Sequence, residues 1–167
     1  MTLSWELREI GLDDMRVVFE LRNDPYIVER SSSRKPIGWA EHDAWFSKSV
    51  EREDQLAFLI DSLEEKKSVG VIRFERVSEA DAVISVYMIE RFTRRGIGVE
   101  VIRSGCERAF SRWKISRVLA NVRKDNVAGQ KGFRKAGFHL LDDPVDSGHD
   151  DLHQVFFLGR YLERGAL

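Results

Sequence analysis

Two glycines and several arginines follow a nearly continuous apolar stretch of the chain, in a spacing suited to binding an anion. The segment Thr93-Arg94-Arg95-Gly96-Ile97-Gly98 lies between a predicted strand and a predicted helix, with Arg91 just before it. Glycine lets the backbone approach a ligand closely, and the first amide groups of a helix lack partners within the helix. An anion at that end gains roughly 0.3 to 2 kcal/mol from the helix dipole. We therefore predict a phosphate-binding turn here.

This turn does not match two familiar phosphate-binding motifs. A dinucleotide fingerprint needs a third glycine where Val101 stands, and a P-loop needs Gly-Lys followed by Ser or Thr, which the sequence lacks. Two glycines alone are a weak signal, and a tight turn with solvated arginines is the alternative. Residues further along the chain are needed to distinguish a phosphate-binding turn from a tight turn with solvated arginines.

The turn lies inside a predicted βαβ unit. Ala82 to Ile89 is nearly continuous in apolar residues, as a central strand covered on both faces should be. The segment after the turn has apolar residues near the 3.6-residue period of a one-faced helix, and Arg117 to Val122 follows as a second strand. These helix positions are Ile97, Val101, Ile102, Ala109, Phe110 and Trp113. A right-handed crossover places the turn at the carboxyl end of the first strand.

A second motif, Asn126-Val127-Ala128-Gly129-Gln130-Lys131-Gly132-Phe133-Arg134-Lys135-Ala136-Gly137-Phe138, follows the second strand. Together with Arg95-Gly96-Ile97-Gly98, it resembles the two central motifs of the GNAT superfamily of N-acetyltransferases. The likeness covers the central third of the chain with specific spacing and the whole length more loosely. It implies an α/β (α+β) acyl-CoA N-acyltransferase fold: a mixed, mostly antiparallel central sheet flanked by helices, with a βαβ CoA-binding core. It also implies a single domain over residues 1–167.

The resemblance implies acetyl-CoA as co-substrate, no metal, and direct transfer of the acetyl group to an amine. In this family the glycine turn holds the pyrophosphate, and the second motif borders the pantetheine and the thioester. A backbone N–H at the end of the first strand polarises the thioester carbonyl, and Asn126 would bond the pantetheine arm. The cofactor-binding residues implied in this way are Met88, Ile89, Arg91, Arg94, Arg95, Gly96, Ile97, Gly98, Val99, Asn126, Gly129 and Phe133.

Two positions depart from the family pattern. Thr93 stands where the family carries Gln or Arg, a modest change because backbone amides do most of the holding. Phe133 stands where many relatives carry a tyrosine proposed to protonate the departing thiolate, and phenylalanine has no proton to give. Another group, water, or unassisted departure has to replace that tyrosine. A non-catalytic acetyl-CoA-binding sensor is therefore the alternative to an enzyme.

Three side chains are candidates for moving protons. An alkylammonium is mostly protonated at pH 7, so a base or a water chain must remove its proton before attack. Glu75, at a strand end, could order that water, and His42, on a helix, could contact the ligand. Tyr87 shares a strand face with Ser85 and could replace the acid missing at position 133. The alternatives are an exposed glutamate, a helix-surface histidine bonded to a neighbour, and a tyrosine that only packs.

The acceptor side is suggested by the N-terminal third of the chain. Leu21-Arg22-Asn23-Asp24-Pro25, followed by His42 and Trp45-Phe46, looks like the branch with ribosomal-protein, spermidine and nucleotide-amino-sugar acetyltransferases. Within it, Arg-Asn-Asp-Pro ahead of a His-x-x-Trp-Phe helix is most similar to enzymes that acetylate the 4-amino group of UDP-linked deoxy sugars. The implied acceptor is a small-molecule amine, first a nucleotide-linked amino sugar, with a protein N-terminal amine or a polyamine as alternatives. Arg30 and its neighbouring serines would meet a sugar phosphate or form a solvated loop.

The loop from Asp142 to His153 contains five aspartates and two histidines. A metal site is conceivable, but histidines in a turn-rich loop lack the helical scaffold that would make their spacing meaningful, so we expect no metal. Acidic residues near an acceptor site would attract an amine and favour a polyamine or a basic peptide. A plain solvated loop is the alternative.

Charge and composition argue against several other classes of protein. A formal net charge of -1 gives no sign of a nucleic-acid footprint, and no apolar run approaches the roughly 20 residues that span a bilayer. The charged residues Glu6, Arg8 and Glu9 exclude a signal-peptide apolar region, so we expect a cytoplasmic protein. The single cysteine, Cys106, lies on the apolar side of the long helix and should belong to the core. A homodimer is left open.

The other elements follow from patterns of apolar and turn residues. Leu12 to Arg22 is a predicted helix with Pro25 soon after its end, and Gly38 to Val50 is a second helix. Trp39, Trp45 and Phe46 should anchor this second helix in the core. The predicted strands outside the βαβ unit are Leu3 to Ile10, Gln55 to Asp61, Ser68 to Glu75, Phe138 to Leu141 and Leu152 to Tyr161.

Overall fold

Seven strands form one sheet in the computed structural model, which describes residues 3–142 and 152–160. The strands are β1 (Trp5–Glu9), β2 (Gln55–Ser62), β3 (Lys67–Arg76), β4 (Asp81–Met88), β5 (Arg117–Arg123), β6 (His139–Leu140) and β7 (His153–Gly159). Their order across the sheet is β1-β2-β3-β4-β5-β7-β6, and among these strands only β4 and β5 pair in parallel. The predicted mixed, mostly antiparallel sheet is therefore confirmed.

Six helices accompany the sheet in the described ranges. They are α1 (Met15–Arg22), α2 (Pro25–Arg30), α3 (Trp39–Ser49), α4 (Glu90–Thr93), α5 (Ile97–Arg112) and α6 (Val127–Lys135), with a short 3-10 turn at Leu12–Asp14. None of these helices is both long enough and apolar enough to cross a bilayer. Helices α1 and α3 pack on one face of the sheet through Val18, Leu21 and Phe46, which cluster with Leu59 and Val71.

Helix α5 covers the other face of the sheet with its apolar stripe. Val101, Cys106 and Ala109 are at most 1% exposed, which confirms both the helical period and the core position of the cysteine. Burial raises the pKa of the Cys106 thiol to about 12, and a thiol that stays protonated is a poor nucleophile. The crossover from β4 through α5 to the parallel strand β5 is the predicted βαβ unit.

Helix α2 is an element that the sequence patterns miss. Pro25 lies beyond the end of α1, as the sequence predicts, and it also begins α2. Asp24 caps this helix, because its Oδ1 accepts hydrogen bonds from the amides of Tyr26 and Ile27 at 3.0 and 3.4 Å. Proline suits the first helical position, where an N–H would have no partner within the helix. The segment Pro25–Arg30, to which no element was assigned from the sequence, is therefore a short helix that follows α1.

Helix α3 buries a different set of side chains from the one predicted. Phe46 is 2% exposed, as an anchor should be, but Trp39 and Trp45 are 45% and 39% exposed. The buried residues His42, Phe46 and Ser49 follow the i, i+4, i+7 spacing of one helix face, and the tryptophans flank that face. The prediction that both tryptophans anchor this helix is wrong, because histidine occupies the core position instead.

Gly105 of α5 lies where this helix packs against β3. A Cβ added at Gly105 would come within 2.5 Å of Ile72 Cδ1 and 3.0 Å of Phe74 Cζ, and both of these side chains are fully buried. We expect Gly105→Ala to lower the free energy of unfolding by roughly 1 to 3 kcal/mol through overpacking. Urea denaturation measures this change.

Gly132→Ala in α6 is the matched control, since nothing lies within 4 Å of the added Cβ. This variant should keep the wild-type stability or gain up to about 1 kcal/mol, because alanine favours a helix more than glycine does. Equal losses of stability in the two variants would contradict the close approach of α5 to β3.

Candidate active site

A cleft opens where β4 and β5 separate. The two strands pair in parallel from Asp81 and Arg117 only as far as Ile84 and Ala120. Beyond this point β4 continues beside β3, and β5 continues beside β7. The carboxyl ends of the two strands therefore diverge, and the opening between them is lined by residues from both strands and from the start of α5.

The cleft has a volume of about 1140 Å³ and extends from the start of α5 to the helices α1 to α3. It brings together ten of the residues singled out from the sequence, namely His42, Tyr87, Met88, Arg94, Gly96, Gly98, Val99, Asn126, Gly129 and Phe133. The other predicted site residues, which are Glu75, Ile89, Arg91, Arg95 and Ile97, do not line it.

The turn before α5 has the geometry of an anion-binding helix end. Gly96 precedes the helix with a φ of 80°, in the left-handed region that glycine adopts without strain. No side chain of the described residues caps this helix, so the amides of Ile97, Gly98 and Val99 direct their hydrogens out of the helix end. Arg94 also lines the cleft. Unpaired amides and a nearby cation together suit a phosphate group.

Two of the arginines expected at this turn are engaged elsewhere. Arg91 forms an ion pair with Glu65, and its guanidinium lies 5.4 Å from the ring centre of Phe92. The guanidinium of Arg95 lies 5.8 Å from the centre of the same Phe92 ring. Ile97 contributes only its amide to the helix end, because its side chain is 3% exposed and belongs to the core. Ligand contacts by these side chains stay predictions.

The end of β4 presents a backbone amide to the cleft. Ile89 donates its N–H to the carbonyl oxygen of Val69 at 2.9 Å, so this amide is already used. In an antiparallel ladder, successive residues point their N–H groups to opposite sides, so the N–H of Met88 points away from β3 and toward the separated β5. Of Met88 and Ile89, the two predicted cofactor-binding residues at this strand end, only Met88 has an N–H that points in a direction suited to polarising a thioester carbonyl.

Asn126 begins α6 and uses only half of its side-chain amide. Its Oδ1 accepts a hydrogen bond from the N–H of Gly129 at 2.9 Å and so caps the helix. Its Nδ2 group makes no hydrogen bond within the described part of the chain, and Asn126 lines the cleft. Gly129 fits this cap because a Cβ there would come within 2.5 Å of the asparagine side chain. The cap thus holds a free donor beside the cleft.

Phe133 contributes an apolar surface to the cleft wall. It is 8% exposed and lies edge-on to Phe138, with the two ring centroids 5.0 Å apart. Because its ring carries no proton, a donor to a departing group has to be another side chain of the cleft or water.

Tyr87 presents a protonated phenol to the cleft. It lies on the same face of β4 as Ser85, pairs with Val71 on β3, and packs against the cluster under α1 and α3. Its hydroxyl makes no hydrogen bond to any residue in the described ranges. Burial raises the pKa of Tyr87 to about 12, against the opposing charges of Arg73 and Arg22. The phenol therefore keeps its proton at neutral pH.

Glu75 and His42 are less well placed for proton transfer. Glu75 forms an ion pair with Arg52 at 3.0 Å and lies outside the cleft wall. His42 is 2% exposed, and its Nε2 lies 2.8 Å from the carbonyl oxygen of Met15, to which it must donate. The histidine is thus buried between α1 and α3 rather than exposed on a helix surface, and its hydrogen bond ties α3 to the start of α1.

The Arg-Asn-Asp-Pro segment has a separate task at each position. Asn23 exchanges two hydrogen bonds with the backbone of Ile37, at 2.7 and 3.0 Å, and so ties the loop before α3 to the end of α1. Asp24 and Pro25 begin α2. Arg22 is the last residue of α1, and of these four residues it alone lines the cleft.

Arg22 and Arg73 are cleft residues that the sequence analysis did not single out. Arg73 lies on β3 opposite Ser85, with its guanidinium 5.0 Å from the ring centre of Trp45. A signal for Arg73 was present, because this charged residue interrupts the apolar residues at 69–74 in the middle of β3. Arg22 stands inside the segment on which the family likeness rests.

Among residues 3–142 and 152–160, no three His, Cys, Asp or Glu side chains lie close enough together to hold a metal ion. Most of the acidic loop falls on residues 143–151, including His149, and these lie outside the described residues, as does Tyr161. The roles suggested for that loop stay predictions.

Comparison with known proteins agrees with this architecture. The sequence model of the acetyltransferase (GNAT) domain matches residues 5–139. The fold is similar to that of spermidine N-acetyltransferase from Vibrio cholerae in complex with CoA and spermine, with a TM-score of 0.75 and 14% identity over 93% of this chain and 95% of that one. No curated protein sequence gives a significant match.

Two other solved structures show the same likeness. For the Campylobacter jejuni N-acetyltransferase PseH in complex with acetyl coenzyme A, the TM-score is 0.67, with 18% identity over 94% of this chain and 99% of that one. For aminoglycoside acetyltransferase AAC(6')-Ib in complex with coenzyme A, the TM-score is 0.75, with 15% identity over 94% of this chain and 95% of that one.

The family match includes both the glycine turn and the motif that begins at Asn126, which are the two segments that line the cleft at its α5 end. The expected fold is confirmed by the sheet, the βαβ unit and the solved neighbours. The chain therefore belongs to the GNAT acetyltransferase family and is an N-acetyltransferase with acetyl-CoA as its donor.

Proposed function

We propose that the protein transfers the acetyl group of acetyl-CoA directly to a primary amine of a small molecule, with a nucleotide-linked amino sugar as the first candidate. The observation that carries this proposal is the continuous cleft, in which the free end of α5 and the wall formed by α1 to α3 face one opening between β4 and β5. A donor held at the first end and an amine held at the other would meet beside Tyr87 and Met88.

Each cleft residue has a task in this proposal. Bound acetyl-CoA supplies an activated acetyl group as a thioester. The amides at the start of α5 would hold the pyrophosphate, Asn126 Nδ2 would donate to the pantetheine arm, and the Met88 N–H would donate to the thioester oxygen. Much of the rate gain would then come from holding amine and thioester in line, with proton transfer adding roughly 10² to 10⁴-fold.

The choice of acceptor is supported by the likeness of the Arg-Asn-Asp-Pro and His-x-x-Trp-Phe segments to amino-sugar enzymes. Trp45 of the second segment is 39% exposed and lines the cleft, where an aromatic ring suits the face of a sugar or a base. A polyamine and a protein N-terminal amine are the alternative acceptors. A panel of these amines, assayed for release of the CoA thiol, identifies the class that the enzyme accepts.

Phe133 is the one observation that favours the alternative of a non-catalytic acetyl-CoA sensor, against the match to the acetyltransferase family. Thiol release above the rate of acetyl-CoA hydrolysis with any amine of the panel excludes a sensor. Binding of acetyl-CoA without release across the panel supports it.

Thermal unfolding tests donor binding separately from turnover. Acetyl-CoA at 100 times its dissociation constant should add about 2.7 kcal/mol to the stability of the folded state. NAD and ATP at the same concentration should have little effect, because the turn lacks their motifs. Stabilisation by NAD or ATP but not by acetyl-CoA would contradict the role of the turn before α5.

Asn126→Asp should raise the KM for acetyl-CoA by about 2- to 10-fold, because it removes the Nδ2 donor to the pantetheine arm. The same variant should keep the stability of the wild type, since aspartate caps a helix as well as asparagine does. Asn126→Ala removes donor and cap together and should also cost roughly 0.5 to 2 kcal/mol of stability. Kinetics and urea denaturation of the two variants separate the roles, and an unchanged KM in Asn126→Asp would exclude the contact.

A further inference from the structure

Two arginines in the acceptor half of the cleft have no acceptor for their N–H groups. Arg22 and Arg73 both line the cleft, and neither makes a hydrogen bond or an ion pair with any residue in the described ranges. The Nη1 group of Arg22 is buried without a protein acceptor. A buried guanidinium N–H group normally has an acceptor, so the unpaired Nη1 group of Arg22, next to the charge of Arg73, needs an explanation.

Some other arginines of this protein have carboxylate partners. Arg8 bonds Asp14 and Asp61, and Arg117 bonds both carboxylate oxygens of Asp81. The two cleft arginines instead repel one another. Burial lowers the pKa of Arg73, and the charge of Arg22 lowers it further, although Tyr87 and Glu75 oppose this effect. Within the described residues, two like charges therefore lie near one another with Tyr87 and Glu75 compensating Arg73 and with no carboxylate bonded to either arginine.

The wider lining of the cleft has the same sign of charge. The described lining residues include seven arginines or lysines but only two glutamates. The basic residues are Arg22, Arg30, Arg73, Arg94, Arg123, Lys131 and Lys135, and the glutamates are Glu9 and Glu41. A cleft of this sign attracts anions and repels a polycation. The ring of Trp45 lies 5.0 Å from the guanidinium of Arg73, and an arginine stacked on an aromatic face keeps its N–H edges free for a ligand.

We propose that Arg22 and Arg73 form an anion subsite in the acceptor half of the cleft, so that the acceptor is an amine whose molecule also carries a phosphate or a carboxylate group. This inference rests on the proposed acetyltransferase function and narrows its substrate class. The diphosphate of a nucleotide-linked amino sugar meets the requirement, whereas a polyamine does not.

Steady-state kinetics of Arg22→Gln and Arg73→Gln test the subsite with two matched acceptors. One is an amino sugar linked to a nucleoside diphosphate, and the other is the same amino sugar without the nucleotide. Each variant should raise the KM for the nucleotide-linked acceptor by about 10- to 100-fold, the range for losing a hydrogen bond to a charged group. The KM for the free amino sugar should change by less than about threefold.

Arg16→Gln is the matched control for the loss of one positive charge. Arg16 lies on the same helix α1, its side chain is 80% exposed, and it does not line the cleft. Both KM values should stay within about twofold of wild type in this variant. An equal rise of both KM values in Arg22→Gln and Arg73→Gln would overturn the proposal, because it would show a general effect on the site.

Anion binding without turnover gives an independent readout. Thermal unfolding of the full chain, saturated with CoA, is followed with UDP, inorganic phosphate or acetate, in the wild type and in the double variant Arg22→Gln/Arg73→Gln. UDP or phosphate should raise the midpoint of the wild type and not that of the double variant. If acetate also raises the midpoint of the wild type but not that of the double variant, the subsite binds carboxylates as well as phosphates. Without any added anion, the double variant should be at least as stable as the wild type, because two like charges that repel one another are removed.

The outcomes separate this subsite from the proposed function. If anions stabilise the wild type through the two arginines but no amine is acetylated, the subsite stands and the proposed reaction falls. If amines are acetylated but no anion binds through Arg22 and Arg73, the reaction stands and the subsite falls.

Discussion

Tyr87→Phe is expected to lower kcat by about 10²- to 10⁴-fold, the range for losing a positioned acid or base, while the KM for acetyl-CoA changes little. Tyr87 lines the cleft next to the Met88 amide. Phe133 also lines the cleft, but it has no acidic proton to donate to a leaving group. Tyr87 would pass its phenolic proton to the departing sulfur. Kinetics with acetyl-CoA varied at saturating amine separate kcat from KM.

Two controls distinguish lost chemistry from lost structure. Because the Tyr87 hydroxyl makes no hydrogen bond to a described residue, Tyr87→Phe should stay within about 0.5 kcal/mol of the wild-type stability. Ser85→Ala removes another hydroxyl from the same strand face and should change kcat by less than about threefold. A normal kcat in Tyr87→Phe would exclude the tyrosine and leave water as the proton donor.

The raised pKa of Tyr87 gives a test that needs no substrate. In the unfolded chain a tyrosine releases its proton near pH 10, whereas the folded chain keeps the Tyr87 proton to about pH 12. Because the folded state binds more protons in this interval, its stability falls as the pH rises through it. Urea denaturation across the interval should show a smaller fall in Tyr87→Phe. Equal falls in both proteins would mean that Tyr87 is not buried as described.

The donor half of the site could be predicted because its signals are local. Gly96 and Gly98 mark the turn, the spacing from Ile97 to Trp113 marks α5, and a continuous apolar segment marks β4 as a central strand. In each of these patterns, neighbouring members lie only a few residues apart in the sequence. The helix end that they build is the part of the site where sequence and structure agree most closely.

The acceptor half depends on contacts between distant segments, so the sequence could not supply it. Arg91 and Arg94 look equivalent in the sequence, but only Arg91 has Glu65 within reach. His42 lies on the buried face of α3, where its hydrogen-bond partner, the Met15 carbonyl, is provided by the distant helix α1. Arg73 lines the cleft because α1 and α3 cover the sheet face that it shares with Tyr87, which depends on tertiary packing.

Gly98→Asp should weaken acetyl-CoA binding by about 5- to 10³-fold relative to Gly98→Asn. Gly98 is the second residue of α5, and its amide belongs to the helix end that would hold the pyrophosphate. Two like charges about 4 Å apart repel by roughly 1 kcal/mol in water and about 4 kcal/mol at an effective dielectric constant near 20. The two variants have nearly the same shape, and the added Cβ meets Met88 Cε at 3.3 Å in both, so their difference reports charge alone. Isothermal titration calorimetry measures both dissociation constants.

The same pair of variants should differ in the opposite direction when no ligand is present. A carboxylate in the first turn of a helix interacts favourably with the helix dipole, so Gly98→Asp should be about 0.3 to 1 kcal/mol more stable than Gly98→Asn in urea denaturation. The carboxylate introduced by Gly98→Asp would thus stabilise the free protein and weaken binding of acetyl-CoA. Both effects are expected together only if acetyl-CoA places negative charge at this helix end. Equal acetyl-CoA affinities in the two variants would therefore exclude the start of α5 as the pyrophosphate site, whatever their stabilities.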